Sequence, residues 1–306
     1  MPRFSIIIPC FQAEATLGRT LESLQAQSCP DWEALCIDDG STDGTRALLE
    51  AAAARDPRLR VIRNIGKGPS AARNLGAFLA EGEILAFCDA DDLWSSDKLA
   101  HLRTAFADPD CAGAFGRVAF FREEPADARS ISTLPEGPLT IAMLLGENPV
   151  CTMSNIALRR PVFLGSGGLD PAMVHNEDLD WLIRLVGEGA SLRPLNAVLV
   201  WYRASPLGLS ADLEAMARGR AQALASAARY GFSPDAGAEA VHLRYLARRA
   251  LRVGRGDATA LKLAVRGLRQ APRSFLLPAH RGCATLAAAV LAPVLPPVLR
   301  RTLFTR

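Results

Sequence analysis

The sequence lacks the cysteine patterns of two large protein classes. Its seven cysteines include no C-x-x-C pair, and no histidine stands at zinc-finger spacing from them. Neither a disulfide framework nor a zinc module is therefore indicated. Cys10, Cys36 and Cys88 lie in or beside apolar runs, so we expect them to be small buried hydrophobic residues in a reducing compartment.

Signals for export and for two common nucleotide-binding folds are also missing. The apolar run before Pro9 is too short for the hydrophobic region of a signal peptide, so no export is expected. A dinucleotide-dependent oxidoreductase needs G-x-G-x-x-G after its first strand, and Pro9-Cys10-Phe11-Gln12 occupies that place here. Residues 66–70, Gly-Lys-Gly-Pro-Ser, lack the Gly-Lys-Ser/Thr ending of a P-loop.

Charge is distributed unevenly along the chain. The net charge is +3, but residues 211–306 carry 16 Lys and Arg against 5 Asp and Glu, a net charge of +11. Residues 1–210 therefore carry −8. An acidic first part suits a site for a metal cation, and a basic last part suits an anionic surface such as a phospholipid leaflet. The alternative is that the arginines only solvate helical faces.

Strands and helices are predicted to alternate over the first hundred residues. Apolar runs at 4–8, 32–37, 59–62 and 83–88 indicate strands, and helical spacing of apolar residues appears between them. This order predicts an α/β fold, a mostly parallel Rossmann-like sheet flanked by helices, with an α-helical extension from residue 211. Polar strings follow three of the strands, at the sheet edge where such folds bind ligands.

Two of these polar strings are rich in aspartate. Asp89-Ala90-Asp91 follows a strand directly, and two carboxylates one residue apart can reach one Mg²⁺ or Mn²⁺ ion whose coordination a diphosphate completes. An acidic turn that caps the next helix is the alternative. Asp39 follows another strand and could accept a hydrogen bond from a base or a ribose, although Asp, Gly and Ser also form ordinary tight turns.

A third acidic cluster opens a predicted helix at residues 177–186. Glu177 and Asp178 would be stabilised in a first helical turn by the helix dipole, whatever their function. The functional alternative is a general base that takes the proton of a reacting hydroxyl.

Taken together, these residues resemble glycosyltransferase family 2, with its GT-A fold and inverting chemistry. The resemblance covers the first 210 residues, where seven motifs follow the family's order and approximate spacing. The motifs are residues 6–12, residues 37–43, Gly68 to Gly76, Asp89 to Asp92, Gly167 to Asp170, Glu177-Asp178, and Tyr202-Arg203 with Leu209-Ser210.

The resemblance implies a donor site that contains a metal. Asp39 would bind the nucleotide base, Asp89 would face the ribose, and Asp91 would be the main ligand of a divalent metal, Mn²⁺ or Mg²⁺. Arg73 would lie near the donor or its diphosphate, because a guanidinium matches phosphate oxygens; a surface salt bridge is its alternative role. The remaining donor-binding residues would be Pro9, Phe11 and Gln12.

On the acceptor side the resemblance implies that Asp178 is the catalytic base. Glu177, Trp181 and His175 would lie near the acceptor. Two departures from the family's pattern matter: Gln12 stands where Asn is usual, and Ser205 stands where many relatives have His. A C-terminal imidazole on the metal or diphosphate is therefore not expected.

The implied activity is metal-dependent, inverting transfer of a sugar from a nucleotide-diphosphate sugar to an acceptor hydroxyl. The acceptor would be a carbohydrate or a lipid-linked sugar, in cell-surface polysaccharide or glycolipid synthesis, and no nucleic-acid partner is expected. Residues 1–210 would be the catalytic domain, with donor and acceptor halves at about 1–110 and 111–210, and residues 211–306 a basic helical region. The alternatives are a sugar nucleotidyltransferase and a non-catalytic sugar-nucleotide-binding protein.

The end of the chain suggests contact with a membrane surface. Residues 283–299 form an apolar run broken by Pro293, Pro296 and Pro297, which makes a spanning helix untenable. An interfacial segment fits better, and would give a cytoplasmic protein peripheral to the inner face of the cell membrane. Upstream arginines would aid it by pairing with anionic lipid: Arg244, Arg248, Arg249, Arg252 and Arg255. Packing of the segment on the catalytic domain or on a second subunit of a homo-oligomer is the alternative.

Overall fold

The fold is organised around one mixed β-sheet. The computed structural model describes residues 2–128, 130–204, 212–253, 258–296, 299–300 and 303. Within these ranges the strands of the sheet, in chain order, are β1 (Phe4–Cys10), β2 (Trp32–Asp38), β3 (Leu59–Arg63), β4 (Ile84–Phe87), β5 (Leu93–Trp94), β6 (Gly113–Phe121), β7 (Ser130–Ile131), β8 (Ile156–Arg159) and β9 (Leu192–Arg203). They lie across the sheet as β3-β2-β1-β4-β8-β6-β9-β5, and β7 pairs with β6.

The predicted α/β fold is confirmed, and its parallel part lies at one side of the sheet. β1 pairs in parallel with both β2 and β4, and β2 with β3. Three helices connect these strands: α1 (Leu17–Gln25), α2 (Thr45–Ala53) and α3 (Gly68–Leu79). The chain turns back across β1 to reach β4, so the carboxyl ends of β1 and β4 flank a switch point where such sheets bind ligands.

Both faces of the sheet are buried at β1, β2 and β4, which explains why these strands are mostly apolar, whereas the edge strand β3 is partly exposed and carries two arginines. Ile6 and Ile8 belong to the core that includes the leucines of α1. Ile7 points to the other face, where a Cβ placed on Gly76 of α3 would come within 2.5 Å of its Cγ2 atom. Gly76 therefore permits close packing of helix on strand.

The predicted buried cysteines are part of this core. Cys10, Cys36 and Cys88 have no exposed surface. Burial raises the pKa of the Cys36 thiol to about 12, so this side chain stays a neutral apolar group at physiological pH.

The rest of the sheet is mixed, and one strand is longer than predicted. β8 is antiparallel to β4 and β6, while β9 is parallel to β6. β9 begins at Leu192, although apolar residues alone predicted a strand at 198–202. Pro194 and Asn196 make the first half of β9 look like a loop in the sequence. Pairing with β6, which includes two register shifts, makes it a strand. The helices of this part are α4 (Lys98–Ala105), α6 (Arg160–Gly165) and α7 (Glu177–Gly187).

The chain divides into two compact units, Met1–Leu139 with Pro149–Ala204, and Thr140–Asn148 with Ser205–Arg306. The second unit is helical, as predicted from residue 211 onward, and also includes residues 140–148, which the sequence analysis assigned to the acceptor half. Its helices are α5 (Ile141–Gly146), α8 (Leu213–Arg229), α9 (Ala236–Val253), α10 (Thr259–Gln270), α11 (Pro272–Leu276) and α12 (Ala279–Leu291).

Arginines tie the helices of the second unit together. Arg244 of α9 is almost fully buried, and its guanidinium donates to the backbone carbonyls of Ser274, Phe275 and Leu277. It is therefore not available to a lipid surface, contrary to the expectation from sequence. Among the described helices, none has both the length and the apolar character that crossing a membrane requires.

Candidate active site

The acidic turn at residues 89–92 follows β4 at the carboxyl edge of the parallel strands. Asp89 is held on three sides: its backbone N–H donates to Ser154 Oγ at 2.9 Å, and its carboxylate accepts from Thr152 Oγ1 at 3.2 Å and from Arg73 Nη2 at 2.6 Å. The Asp89 side chain stays about a quarter exposed. Its carboxylate is thus fixed in direction and still open to a small ligand.

Asp91 is the partly buried carboxylate in the middle of the turn. Burial, followed by the negative charge of Asp89, raises the pKa of Asp91 to about 6. Arg203 opposes this rise only through its charge, since its Nε donates to the Asp91 backbone carbonyl at 3.0 Å and not to the carboxylate. A partly buried carboxylate whose pKa is raised in this way would gain from a cation.

Protein side chains alone do not form a complete metal site. Within the described residues, no group of three or more His, Cys, Asp or Glu side chains is arranged to hold a metal ion. Mg²⁺ in enzymes is commonly held by one or two carboxylates together with substrate phosphates. The Asp91 carboxylate fits that mode, in which a diphosphate supplies the missing ligands.

Asp92 has a structural position inside the same turn. Its side chain is fully buried, accepting from Ser154 Oγ at 2.6 Å and from the Arg203 backbone N–H at 2.9 Å. Burial and the charges of Asp91 and Asp89 raise the pKa of Asp92 well above its usual value. Asp92 therefore fastens the turn to the segments before β8 and at the end of β9.

Asp39 lies at the carboxyl end of β2 and is held by residues before and at the start of α3. Its carboxylate accepts from Asn64 Nδ2 at 2.7 Å and from the Gly68 backbone N–H at 3.0 Å. Lys67 Nζ lies 3.3 Å from the same carboxylate and donates to the Asp39 backbone carbonyl at 2.8 Å. These contacts orient Asp39, and Asn64 was not singled out from the sequence.

The loop after β1 faces the loop after β2. Gln12 has a positive φ of 48°, and its Oε1 accepts from the Thr42 backbone N–H at 2.7 Å. Phe11 exposes its ring, and Lys67 Nζ lies 4.6 Å from the ring centroid. Pro9 lies within β1, paired with Ile37, and is partly buried. An exposed aromatic ring near Asp39 provides a flat surface on which a base can stack.

Arg73 connects the donor edge to the third acidic cluster. Its side chain is only 6% exposed, with Nη2 at 2.6 Å from Asp89 and Nη1 at 3.2 Å from Glu177. Its Nε is buried without a hydrogen-bond partner within the described residues. The alternative of an exposed surface salt bridge is therefore wrong, because Arg73 is an internal bridge between two carboxylates.

Glu177 and Asp178 occupy the first turn of α7, after Asn176 in a left-handed conformation with φ of 58°. Burial and the charge of Asp178 raise the pKa of Glu177 to about 7, against the opposing pull of Arg73. Burial also raises the pKa of Asp178, while backbone N–H groups at the helix start and Arg73 lower it. Glu177 can therefore gain and lose a proton near neutral pH, and Asp178 is a stronger base than an exposed aspartate.

The other predicted acceptor residues differ in their placement. His175 is partly buried next to α7 and is compatible with a surface position. Trp181 is fully buried, with its ring centroid 5.3 Å from that of Phe163 and its indole N–H donating to Ser166 Oγ at 3.0 Å. Trp181 is therefore a core residue, and this part of the acceptor prediction does not hold because no face of the ring is accessible.

A match to a known family decides the enzyme class. The family model described as "Glycosyl transferase family 2" matches residues 5–165, which is more than half of the chain. The chain belongs to glycosyltransferase family 2. The match covers the turns that carry Asp39, Asp89 and Asp91 and the helix α3 that carries Arg73, so the resemblance noted from these motifs is confirmed, and the chain is a glycosyltransferase.

Two similar proteins are also named as glycosyltransferases, in agreement with membership of glycosyltransferase family 2. The chain is 29% identical over 204 residues to a Bacillus subtilis (strain 168) protein named as a teichuronic acid biosynthesis glycosyltransferase, TuaG, covering 66% of this chain and 79% of the relative. It is 39% identical over 97 residues to the Escherichia coli UDP-Glc:alpha-D-GlcNAc-diphosphoundecaprenol beta-1,3-glucosyltransferase WfgD. That second alignment covers 31% of this chain and 37% of WfgD.

A solved structure confirms the GT-A-like fold of this family 2 chain. The mannosyltransferase PcManGT from Pyrobaculum calidifontis, in complex with GDP-Man and Mn²⁺, superposes with a TM-score of 0.61. The match covers 99% of this chain and 83% of PcManGT at 22% identity. Likeness at this level of identity describes the fold only.

The remaining residues of the site are one motif residue whose role was open, three motif residues that the structure does not describe, and three residues that were not predicted. Asn74 holds the Gly168-Leu169 loop, donating to the Leu169 carbonyl at 2.7 Å and accepting from its N–H at 2.9 Å. Ser205, Leu209 and Ser210 lie outside the described residues. Thr152, Ser154 and Asn64 escaped notice because Ser, Thr and Asn in loops carry no periodic signal, and their partners are far away in the sequence.

Proposed function

We propose that this chain moves a sugar from a nucleotide-diphosphate sugar to an acceptor hydroxyl, with a divalent metal and with inversion at the anomeric carbon. One observation carries the proposal: Arg73 joins Asp89 of the acidic turn to Glu177 at the start of α7, at 2.6 and 3.2 Å. The donor edge of the sheet and the predicted base are therefore adjacent.

For the donor, we propose that Asp39 binds the base, that Asp89 faces the ribose, and that Phe11 and Gln12 line the same side with Pro9. The orientation of Asp39 by Asn64 and Gly68 supports this role, because a fixed carboxylate can select a base N–H or a ribose hydroxyl. Phe11 offers an exposed ring for stacking.

For the metal, we propose that Asp91 is the ligand that the protein supplies to Mn²⁺ or Mg²⁺. Burial and then the charge of Asp89 raise the pKa of Asp91, so its ionised form is disfavoured and would be stabilised by a cation. When bound, the metal would neutralise charge that develops on the diphosphate leaving group. Asp89 is already engaged by Arg73 and Thr152, so it is not proposed as an equal ligand.

For the chemical step, we propose that Asp178 takes the proton of the acceptor hydroxyl as the oxygen attacks the anomeric carbon. Burial raises the pKa of Asp178, which makes its carboxylate a stronger base. Glu177 lies beside it and is held by Arg73, and His175 lies one residue before the helix cap. One base and one in-line attack give inversion.

Arg73 is proposed to act on the donor through its neighbours. Both of its terminal nitrogens contact carboxylates, so direct binding of the diphosphate would require one of these ion pairs to open. Because it holds Asp89 and Glu177 together, it sets the distance between the donor and the base.

The relatives suggest the class of acceptor. TuaG is named for teichuronic acid biosynthesis, and the name of WfgD specifies a sugar acceptor on diphosphoundecaprenol. We propose that this chain also acts in the synthesis of a cell-surface polysaccharide or glycolipid, on a carbohydrate or lipid-linked acceptor.

Product analysis tests this function against its alternatives. The purified chain would be incubated with Mn²⁺, a panel of UDP- and GDP-sugars and a soluble sugar acceptor, and the products read by ¹H and ³¹P NMR. Release of a nucleoside diphosphate with an inverted anomeric proton coupling supports the proposal. Pyrophosphate formed from a sugar phosphate and a nucleoside triphosphate would indicate a nucleotidyltransferase. Binding of a sugar nucleotide without turnover of any acceptor would indicate a binding protein.

We also propose that the second unit attaches to the inner face of the cell membrane. Leu291, Val294 and Leu299 near the end of the chain are each about half exposed or more. Residues 211–306, which make up most of this unit, carry a net charge of +11. Exposed apolar side chains on a strongly basic unit suit an anionic lipid surface.

Vesicle flotation tests the membrane proposal. The full chain should float with phosphatidylglycerol vesicles at low salt and remain behind with phosphatidylcholine vesicles. Deletion of residues 283–306 and addition of salt should each weaken the interaction. A full chain that ignores both kinds of vesicle at low salt would refute it, and self-association by the same segment would then appear as a change in mass by light scattering.

A further inference from the structure

The segment that precedes β8 grips both ends of the acidic turn. Ser154 is fully buried in a short 3-10 turn, Met153–Asn155. Its hydroxyl donates to Asp92 Oδ2 at 2.6 Å and accepts from the Asp89 backbone N–H at 2.9 Å. Thr152 Oγ1 donates to Asp89 Oδ2 at 3.2 Å. One hydroxyl group thus fixes the spacing between the first and last residues of the turn.

The middle of the turn is held from the opposite side. The Ala90 backbone carbonyl accepts from the hydroxyls of Thr16, the N-cap of α1, and of Thr20 within α1, each at 3.0 Å. The Asp91 carbonyl accepts from Arg203. Within the described residues, no other residue donates a hydrogen bond to the Asp91 carboxylate. The network therefore immobilises the turn and spares the one carboxylate proposed to face the metal.

A buried lysine completes the arrangement. Lys98 is fully buried, its Nζ donates to the Ser154 backbone carbonyl at 2.5 Å, and Nζ lies 3.7 Å from the centroid of the Trp94 ring. Ser154 thus joins the Lys98 amine, through its carbonyl, to the buried carboxyl group of Asp92, through its hydroxyl. Such an internal polar chain is costly to break, which gives the turn one well-defined geometry.

We propose that Ser154, assisted by Thr152, is a positioning residue that sets the Asp91 carboxylate for the metal and the donor diphosphate. The proposal rests on the proposed function, because it needs a metal at Asp91. Its physical reason is that residues which orient a metal ligand typically change metal affinity or activity about 10- to 100-fold when removed. Ser154 touches neither donor nor acceptor in this role.

Ser5 offers a matched control at the start of β1. It is also fully buried, its hydroxyl donates to a carboxylate, Glu33, at 2.6 Å, and it accepts from the Gly82 backbone N–H at 2.8 Å. Each of the variants Ser154→Ala and Ser5→Ala therefore removes one hydrogen bond to a carboxylate and one from a backbone N–H. Ser154→Ala does so at the acidic turn, and Ser5→Ala does so at the opposite ends of the strands. A purely structural role predicts the same consequence for both.

The test measures Mn²⁺ affinity by calorimetry on the full chain, in the presence of UDP or of GDP, whichever raises the melting temperature of the wild type. Ser154→Ala should weaken Mn²⁺ affinity about 10- to 100-fold, while Ser5→Ala keeps the wild-type value despite a similar loss of thermal stability. Thr152→Val, which removes one hydroxyl, should weaken it in the same direction, and it replaces Ser154→Ala if that variant fails to fold by circular dichroism.

Two failures are distinguishable in this experiment. If the wild type binds neither nucleotide with Mn²⁺, the proposed function fails and the positioning role fails with it. If the wild type binds, but the variant at the acidic turn binds Mn²⁺ as tightly as Ser5→Ala, the proposed function stands and the positioning role is wrong.

Discussion

Asp91→Asn is expected to abolish metal-dependent transfer and, at the same time, to stabilise the protein without its ligands. The fold raises the pKa of Asp91 from 3.8 to about 6, first by burial and then by the charge of Asp89. Below the unfolded pKa the carboxyl is protonated in both states and costs nothing. As pH rises through the folded pKa, the ionised form becomes less favourable in the folded state than in the unfolded one, so the wild type loses stability across this window.

The size of the effect follows from the shift. A pKa raised by about two units corresponds to at most about 3 kcal/mol above pH 6, at 1.36 kcal/mol per unit. Partial exposure of the side chain reduces this figure, so we expect a gain of about 1 to 3 kcal/mol for the asparagine variant at pH 7.5. Because asparagine does not ionise, the gain should disappear near pH 4.

Urea unfolding followed by circular dichroism at pH 4.5, 6 and 7.5 measures this difference. A control variant, Asp97→Asn, changes an exposed carboxylate at the N-cap of α4, which lies 3.4 Å from His101, and should show no gain in stability at pH 7.5. Equal or lower stability of Asp91→Asn at pH 7.5 would mean that the Asp91 carboxylate is already compensated within the fold. The argument for a cation at this position would then lose its basis.

The predicted base, the core and the donor side of the site can each be tested separately. Asp178→Asn should bind donor nearly as the wild type does and lose about 10²- to 10⁴-fold in kcat, as removal of a general base predicts; an unchanged kcat would contradict this. The value of kcat/KM should rise with pH through an apparent pKa near 7, because burial raises the pKa of Glu177 to about 7 and that of Asp178 in the same direction; a flat profile between pH 5.5 and 8.5 would contradict it. Gly76→Ala should destabilise by about 1 to 3 kcal/mol in urea unfolding, because its Cβ would lie 2.5 Å from Ile7 Cγ2; an unchanged midpoint would show that the core yields. Asn64→Ala should raise the donor KM and leave kcat nearly unchanged, and a fall in kcat alone would contradict its orienting role.

Local sequence patterns predicted the parallel part of the sheet because β1, β2 and β4 are short, mostly apolar runs that end in turn-forming residues. The same rule failed for β9, since Pro194 and Asn196 look like a loop and only pairing with β6 makes the segment a strand. Trp181 shows a related limit: it follows an acidic motif along the chain, but helical geometry turns its ring into the core.

The acidic motifs could be found from the sequence, whereas most of their hydrogen-bond and ion-pair partners could not. Asp89 and Asp91 are recognisable as two carboxylates at the end of a predicted strand. Ser154 contacts Asp92 and Asp89 from 62 and 65 residues away, and nothing in the sequence marks it. The family resemblance named Arg73, but its ion pairs with Asp89 and Glu177 depend on the tertiary fold.

The most direct test of the central claim is a calorimetric titration of the full chain with UDP- and GDP-sugars, in Mn²⁺ and again in excess chelator. The account predicts that at least one sugar nucleotide binds in Mn²⁺, that chelator weakens its affinity, and that Asp91→Asn in Mn²⁺ reproduces the weak affinity of the chelated wild type. Equal affinity of the wild type with and without the metal, or of Asp91→Asn and the wild type in Mn²⁺, would contradict a metal-assisted donor site at this turn.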